Sequence, residues 1–540
     1  MKQYIYSIAI ILASIMVSSC NPMDNEPTNS YTDSNFWTDI NKAQYMLNMA
    51  YNQMYSAGKM WNDERLTDNL YEGRGYSNQR SMRNGTADTS TGIFDSEWRD
   101  LYGGIKTCHV ILGNIGRLEA DSKTKAYMIA QTRFIRASIF FRLTNFYGDI
   151  PFFTEDISLA ESKTISRTSK DKVIAFIHKE LDEIIPDLLT RDELPDNAKG
   201  KITKGAAIML QARVYLYDSD WANVEKYCSM LMSGHNGSYK LFDSYAGLFT
   251  QENEYNSEVI MDCAYVPSVR TWGEMLDMCP ISKNGRVNST APTQSLVDNY
   301  LTLDGYTIDE AGTTYNENNP YQNRDPRLTA TVIYHHYKWA ENVPESEFTD
   351  KYINIKPGVG ENDDTYKGVG SNATSTGYYV RKYYDPKADA SMNSGLNIIT
   401  MRYADVLLMY AEAMNEQGKM SETVWNKTIR PIRERAGFTA AKALNYPGGD
   451  QASMRKVLRR ERNSELALEG LRWFDIKRWK AGEEYLSKTV RGAKFASNNS
   501  KYIELDNYKF NVNRDYLWSV PQAQMDINPN LKPNNPGYAN

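Results

Sequence analysis

The chain has 540 residues, several times a typical domain of roughly 150, so a large core is within reach. Hydrophobic residues make up 41% and charged residues 24%, a globular composition that excludes a disordered, collagen-like or polytopic membrane chain. Lys and Arg number 62 against 67 Asp and Glu, and the net charge of −5 leaves no basic excess to recruit nucleic acid.

Lys2 precedes an apolar run from Ile5 to Val17. That run falls short of the about 20 residues a membrane span needs and reads as a signal-peptide core. It closes on Val17-Ser18-Ser19-Cys20, which resembles a bacterial lipobox. Residues 1–19 are thus expected to be removed and Cys20 to carry lipid. The polar segment 20–34, with Pro22 and Pro27, reads as a tether.

Helices are predicted over 35–60, 96–118, 124–147 and 170–189. Ala130, Phe134, Ala137 and Phe141 stripe the third of these at spacings of three and four. Ala207, Leu210, Val214 and Tyr217 stripe the next helix, from Thr203, and Trp221, Val224, Tyr227 and Cys228 a short one after it. Paired helices with small residues at the crossing are the tetratricopeptide arrangement. The stretch 240–397 differs: rich in Gly, Asn, Asp and Tyr, it reads as irregular loops with short strands. Helical pattern returns with Ala404, Leu407, Leu408 and Ala411, then over 421–436, where Pro431 demands a bend or break, and over 452–471.

Four cysteines remain after Cys20, none at zinc spacing. Cys263 and Cys279 could pair, or all four could be small apolar fillers. His-Glu-x-x-His, a phosphate loop and Gly-x-Ser-x-Gly are all absent from the sequence. His109, alone on a helix, reads as structural. Glu461 falls on the apolar stripe of Met454, Val457 and Leu458, so it must be paired, with Arg402 or Arg433 as partners.

The chain also carries Phe134-Ile135-Arg136-Ala137, Phe146-Tyr147-Gly148-Asp149-Ile150-Pro151, Arg402-Tyr403-Ala404-Asp405, Arg459-Arg460-Glu461-Arg462, Arg472-Trp473-Phe474-Asp475 and Asn535-Pro536-Gly537-Tyr538. In this order, after a lipobox, the set resembles the SusD/RagB family of Bacteroidetes outer-membrane lipoproteins over nearly the whole chain. The resemblance implies a mainly α fold over 35–540. About four tetratricopeptide-like helix pairs would form a scaffold (35–235 and 398–480), with 240–397 as an irregular ligand-facing half and 481–540 as a tail. It implies a lipid-anchored, surface-exposed, non-enzymatic protein of the outer membrane. Such a protein would bind oligosaccharides and deliver them to a SusC-like TonB-dependent barrel. Peptide or another nutrient is the alternative cargo, and a surface glycoside hydrolase the least favoured reading.

A sugar-binding face needs aromatic rings beside polar side chains, and the 38 Tyr and 10 Trp supply rings in quantity. Two loop regions combine both features. One, 68–91, offers Asp68, Tyr71, Tyr76 and Arg80; the other, 265–288, offers Trp272 and Arg270. Trp272 is the first choice and Trp339 a weaker one. No cofactor is expected, although Glu361-Asn362-Asp363-Asp364 has the oxygen ligands to take Ca²⁺.

Overall fold

The structure, a computed structural model, describes residues 36–73, 78–349, 351–495 and 500–540. The lipobox with Cys20, and Tyr76, lie outside the described residues. The first helical stretch divides into α1 (Ile40–Met54) and α2 (Ala57–Glu64), because Tyr55 and Ser56 are extended. Ser56 then caps α2 by accepting from the Lys59 N–H at 3.2 Å. α3 (Gly92–Asn114) and α4 (Ser122–Tyr147) follow. The Asp121 carboxylate accepts from the Thr124 N–H at the start of α4. Gly148, at φ 68°, ends that helix in a conformation that side-chain-bearing residues avoid.

α4 packs against α1, α3 and α5 (Lys170–Ile184), so the predicted stripe is buried and so are most of its other faces. α6 (Lys204–Tyr217) and α7 (Trp221–Met232) form the next hairpin. α7 then packs on α9 (Tyr403–Glu416), bringing the two halves of the scaffold together across the intervening sequence; α8 (Gln294–Asn299) belongs to that intervening region. The stretch carrying Pro431 breaks into α10 (Glu422–Lys427) and α11 (Ile429–Ala436) at Thr428. Pro431 could not continue from α10, because its ring would meet the carbonyl four residues back; in the first turn of α11 it costs nothing.

The last predicted helix stops early, giving α12 (Gln451–Glu465) and, after a bend, α13 (Arg472–Arg478). Leu468 and Gly470 take positive φ at the bend, and a Cβ on Gly470 would sit 2.6 Å from the Tyr55 hydroxyl. This bend lets Glu469 turn inward.

Strands occur only as short pairs among the described residues. β1 (Leu70–Glu72) pairs with β3 (Thr290–Pro292), and β2 (Val259–Cys263) with β4 (Ile398–Arg402), all antiparallel. β5 (Thr489–Lys494) and β6 (Tyr502–Asn507) form a hairpin. One core lies among the helices, and a second, holding Trp61, Trp272, Trp339 and Tyr383, underlies the irregular half.

The four described cysteines are free and buried, so Cys263 and Cys279 do not pair. Glu461 accepts from Arg433 at 2.7 Å and forms an ion pair with Arg327 at 2.8 Å, a partner beyond the expected set, while Arg402 pairs with Glu465 and Glu469 instead.

Candidate functional site

The loop segment 315–321 and the β5–β6 hairpin assemble a ledge of half-buried tyrosines. Tyr321 stacks on Tyr334, with centroids 4.2 Å apart and planes within 15°. The Tyr321 hydroxyl reaches that of Tyr378 at 3.4 Å, Tyr378 donates to the Gln294 side-chain oxygen at 2.6 Å, and Gln294 donates to Asp298 at 2.7 Å. Each group in this chain fixes the next, so the rings are held in place. Burial raises the Asp298 carboxyl above its ordinary range, against the Gln294 N–H that lowers it.

Beside them the Arg324 guanidinium lies 5.3 Å from the centre of the Tyr315 ring. Arg324 donates to the carbonyls of Pro320, Val297 and Tyr300, which locks its plane. Burial pushes the Tyr315 hydroxyl up to about 12, so at neutral pH it remains a protonated donor. From the hairpin, Tyr502 carries Lys494 over its ring at 5.5 Å, and Lys494 pairs with Glu317 at 2.5 Å. α8 packs against β5, tying Gln294 and Asp298 to the hairpin. The result is a row of half-buried rings bordered by hydroxyls and the Asp298 carboxylate and fixed from beneath by the buried Gln294 and Arg324 side chains; rings beside hydroxyl and carboxylate groups suit a sugar ring and its hydroxyls.

The residues expected from the sequence divide. Arg80, half-buried, lies 3.5 Å from Asp506 of β6 and so borders the same hairpin. Tyr71 is packed with Val490 and Tyr508 at only 2% exposure, which corrects it to a core residue. Asp68 is buried, with Arg472 bridging both carboxylate oxygens at 2.9 and 3.1 Å. Burial works to raise its carboxyl, but Arg472 and Lys488 outweigh it and hold the group below its ordinary value. Its charge is spent inside the protein, so it too is corrected.

Trp272 is the largest correction. Its ring is 5% exposed, its indole N–H donates to the Leu396 carbonyl at 2.7 Å, and its edge meets Tyr383. It is no open platform. Arg270 lies over Tyr265 at 4.6 Å and donates to Ala264 and Asn52, fastening the same loop to α1. Trp339 is fully buried and donates to Ser346. His109 is buried, edge-on to Phe153, and burial lowers its imidazole to about 4. Asp364 accepts from the Ser282 N–H and hydroxyl, and no cluster of three potential metal ligands occurs among the described residues. Tyr315, Tyr321, Tyr334, Tyr502, Arg324 and Asp298 were not singled out from the sequence. The signal available was the run Tyr315-Asn316-Glu317-Asn318-Asn319-Pro320-Tyr321, two rings flanking turn-forming polar residues.

Helix hairpins supporting a loop-built face of rings and fixed polar groups define a ligand-binding scaffold. The profile of the SusD family matches residues 257–538, and a second, described as "Starch-binding associating with outer membrane", matches 14–216. The chain belongs to the SusD family. It is 27% identical to SusD-like protein P2 of Formosa agariphila across 99% of both chains. Its fold matches a SusD-like carbohydrate-binding protein from Bacteroides fragilis with a TM-score of 0.83, at 24% identity over 92% of this chain and 100% of that one. A laminarin-binding SusD-like protein matches with a TM-score of 0.69, at 20% identity over 93% and 100% of the two chains. Among the described residues no helix is long and apolar enough to cross a membrane.

Proposed function

We propose that this chain is a lipid-anchored, surface-exposed protein of the outer membrane that captures oligosaccharides, without catalysing their cleavage, and delivers them to a SusC-like TonB-dependent barrel. The observation that carries the reading is the ledge of Tyr315, Tyr321, Tyr334 and Tyr502 beside Arg324 and Asp298. Family membership and the carbohydrate-binding relatives support it. Arg80 borders the hairpin that carries Tyr502, and Tyr76 is kept, on its residue type, as a further ligand contact. Affinity in the micromolar to millimolar range, about −8 to −4 kcal/mol, suits a protein that must release what it captures.

The test is a glycan panel titrated into the full-length chain in detergent, with Tyr321→Ala and Tyr315→Ala alongside. Each variant is expected to lose about tenfold in affinity for the glycan that binds, roughly 1.4 kcal/mol. Binding unchanged in both would remove the ledge from the reading. Silence across the panel, with binding of a peptide library, would replace glycan by peptide as the cargo.

Replacing Cys20 with Ala is expected to release the folded chain from the membrane fraction. Retention of the variant there, in cells lacking the barrel, would overturn the anchor.

A further inference from the structure

A cleft of about 1100 Å³ lies well away in composition from the tyrosine ledge, sharing none of its residues. It is bounded by the end of α4, the residues leading into α5, the end of α13 and the C-terminal tail. Its volume is at the upper end of small-molecule sites, which run to about 1,000 Å³.

The cleft is strongly cationic. Arg167, Lys170, Lys477, Arg478, Lys480 and Lys532 line it, against Asp149 and Asp218. Two of the cations are already matched. Arg478 holds both oxygens of Glu412 at 2.6 and 2.7 Å and also Asp475, and Lys170 pairs with Asp218 at 3.1 Å. Among the described residues, Arg167, Lys477, Lys480 and Lys532 have no carboxylate within salt-bridge distance. Arg167 donates instead to the carbonyls of Asp149, Pro533 and Tyr147 and to the Asn535 side chain, which pins its charge at the wall.

Lys477 is the most telling. Its ammonium donates to the Asn145 carbonyl and lies 5.5 Å from the Phe146 ring and 5.9 Å from that of Trp473. One acceptor leaves two of its three donors over. Lys382 shows how this fold treats a buried lysine it means to neutralise: Glu469 meets it at 2.6 Å. Lys477 has no such partner. Desolvation, with the charges of Lys170 and Lys480 added, lowers it to about 7. The one carboxylate that acts against this is Asp63 of α2, already held by Arg142 at 2.8 and 2.9 Å. Lys477 is a half-buried residue that lines the cleft, and with surplus positive charge around it its ammonium would be stabilised by an anion bound there.

We infer that this cleft is a second ligand site, for a small molecule bearing a carboxylate or sulfate group, with Lys477 and Arg167 as its anion-binding residues. The inference does not rest on the glycan reading of the tyrosine ledge. The anion would replace the missing carboxylate beside Lys477 and favour its charged form.

The experiment is calorimetric titration of the full-length chain in detergent, at pH 7.5 and low salt, with glucuronate, inorganic sulfate and, as the neutral control, glucose. At least one anion is expected to bind tenfold or more tightly than glucose, with weakening as salt is raised. Repeating the titration in two buffers of different ionisation heat should show proton uptake on binding, as Lys477 becomes charged between Lys170, Lys480 and the Asp63–Arg142 pair. Lys477→Met is expected to cost at least tenfold in anion affinity and to abolish the proton uptake, with no loss of thermal stability. Lys480→Gln, at an exposed position, serves as the second variant should Lys477→Met not fold, and is expected to cost several-fold. Binding of glucuronate alone would identify an acid sugar as the ligand, and of sulfate alone a sulfate group; either supports the site. No binding of either anion up to about 10 mM, or anion binding equal in the variants and the parent, would overturn it.

Discussion

Replacing Arg402 with Met is expected to lower the stability of the protein by about 3–5 kcal/mol, the range for removing one partner of a buried ion pair. Arg402 is 1% exposed and every N–H of its guanidinium is taken. Nε and Nη2 grip Glu469 at 2.7 Å each, Nη1 meets Glu258 at 2.7 Å and Glu465 at 2.6 Å, and Nη2 also reaches the Glu465 carbonyl at 2.6 Å. Three buried carboxylates thus converge on one planar cation. Arg327 and Arg435 would remain on Glu465, Arg435 on Glu258 and Lys382 on Glu469, but the centre of the cluster would hold uncompensated negative charge. Lysine is a point charge that cannot span three carboxylates, so Arg402→Lys should recover only part of the loss.

The effect has a pH signature. Burial acts to raise the Glu465 carboxyl, but Arg435, Arg402 and Arg327 outweigh it and hold it far below its ordinary 4.5. A depressed carboxyl contributes stability that is present above its unfolded pKa and is lost as pH falls. In Arg402→Met that depression is smaller. The gap between variant and parent should therefore be full at pH 7.5 and narrow below about pH 4.5. Urea unfolding midpoints at pH 7.5 and at about pH 3 read both effects; a gap independent of pH would remove the electrostatic explanation.

Trp272→Ala is the second large effect, an expected loss of about 3–5 kcal/mol, as for a large aromatic removed from a core. The indole fills the second core and is fixed at both ends. Its backbone exchanges hydrogen bonds with Ser394 at 3.0 and 2.8 Å, and its ring N–H is satisfied by Leu396. Alanine would leave a cavity beside Tyr383 and an unpaired Leu396 carbonyl. Any glycan affinity lost in this variant would accompany a fall in its melting temperature. Trp272→Phe, which fills most of the space, should keep binding intact and recover much of the stability. Selective loss of binding in Trp272→Phe at unchanged stability would return the ring to the binding face.

Much of the scaffold was legible. The stripes over α4, α6 and α9 are consequences of helical period, a property of neighbouring residues. The pairing of Glu461 was legible for a different reason: a carboxylate on an apolar stripe cannot stay unmatched. The identity of its partners was only partly legible, since Arg327 comes from the irregular half. Helix ends were harder. Tyr55 and Ser56 part α1 from α2 because Ser56 offers a better hydrogen bond as a cap than as a helical residue, and the stop after Glu465 serves Glu469, whose partner Arg402 is 67 positions away.

The sequence alone determined the family, the helical scaffold with its irregular insert, and the need for a paired acidic and basic interior. Only the tertiary structure decided which aromatic rings face outward. Trp272 and Tyr321 both sit in polar loops, yet one is sealed by Leu396, 124 positions on, while the other stays half-buried, stacked on Tyr334. The same holds for the cationic cleft, where Arg167, Lys477 and Lys532 meet from three distant segments. Periodicity is local and survives in the sequence. Exposure and the convergence of charge depend on which remote segments close on one another, and chain closure costs so little more as loops lengthen that no local pattern marks it.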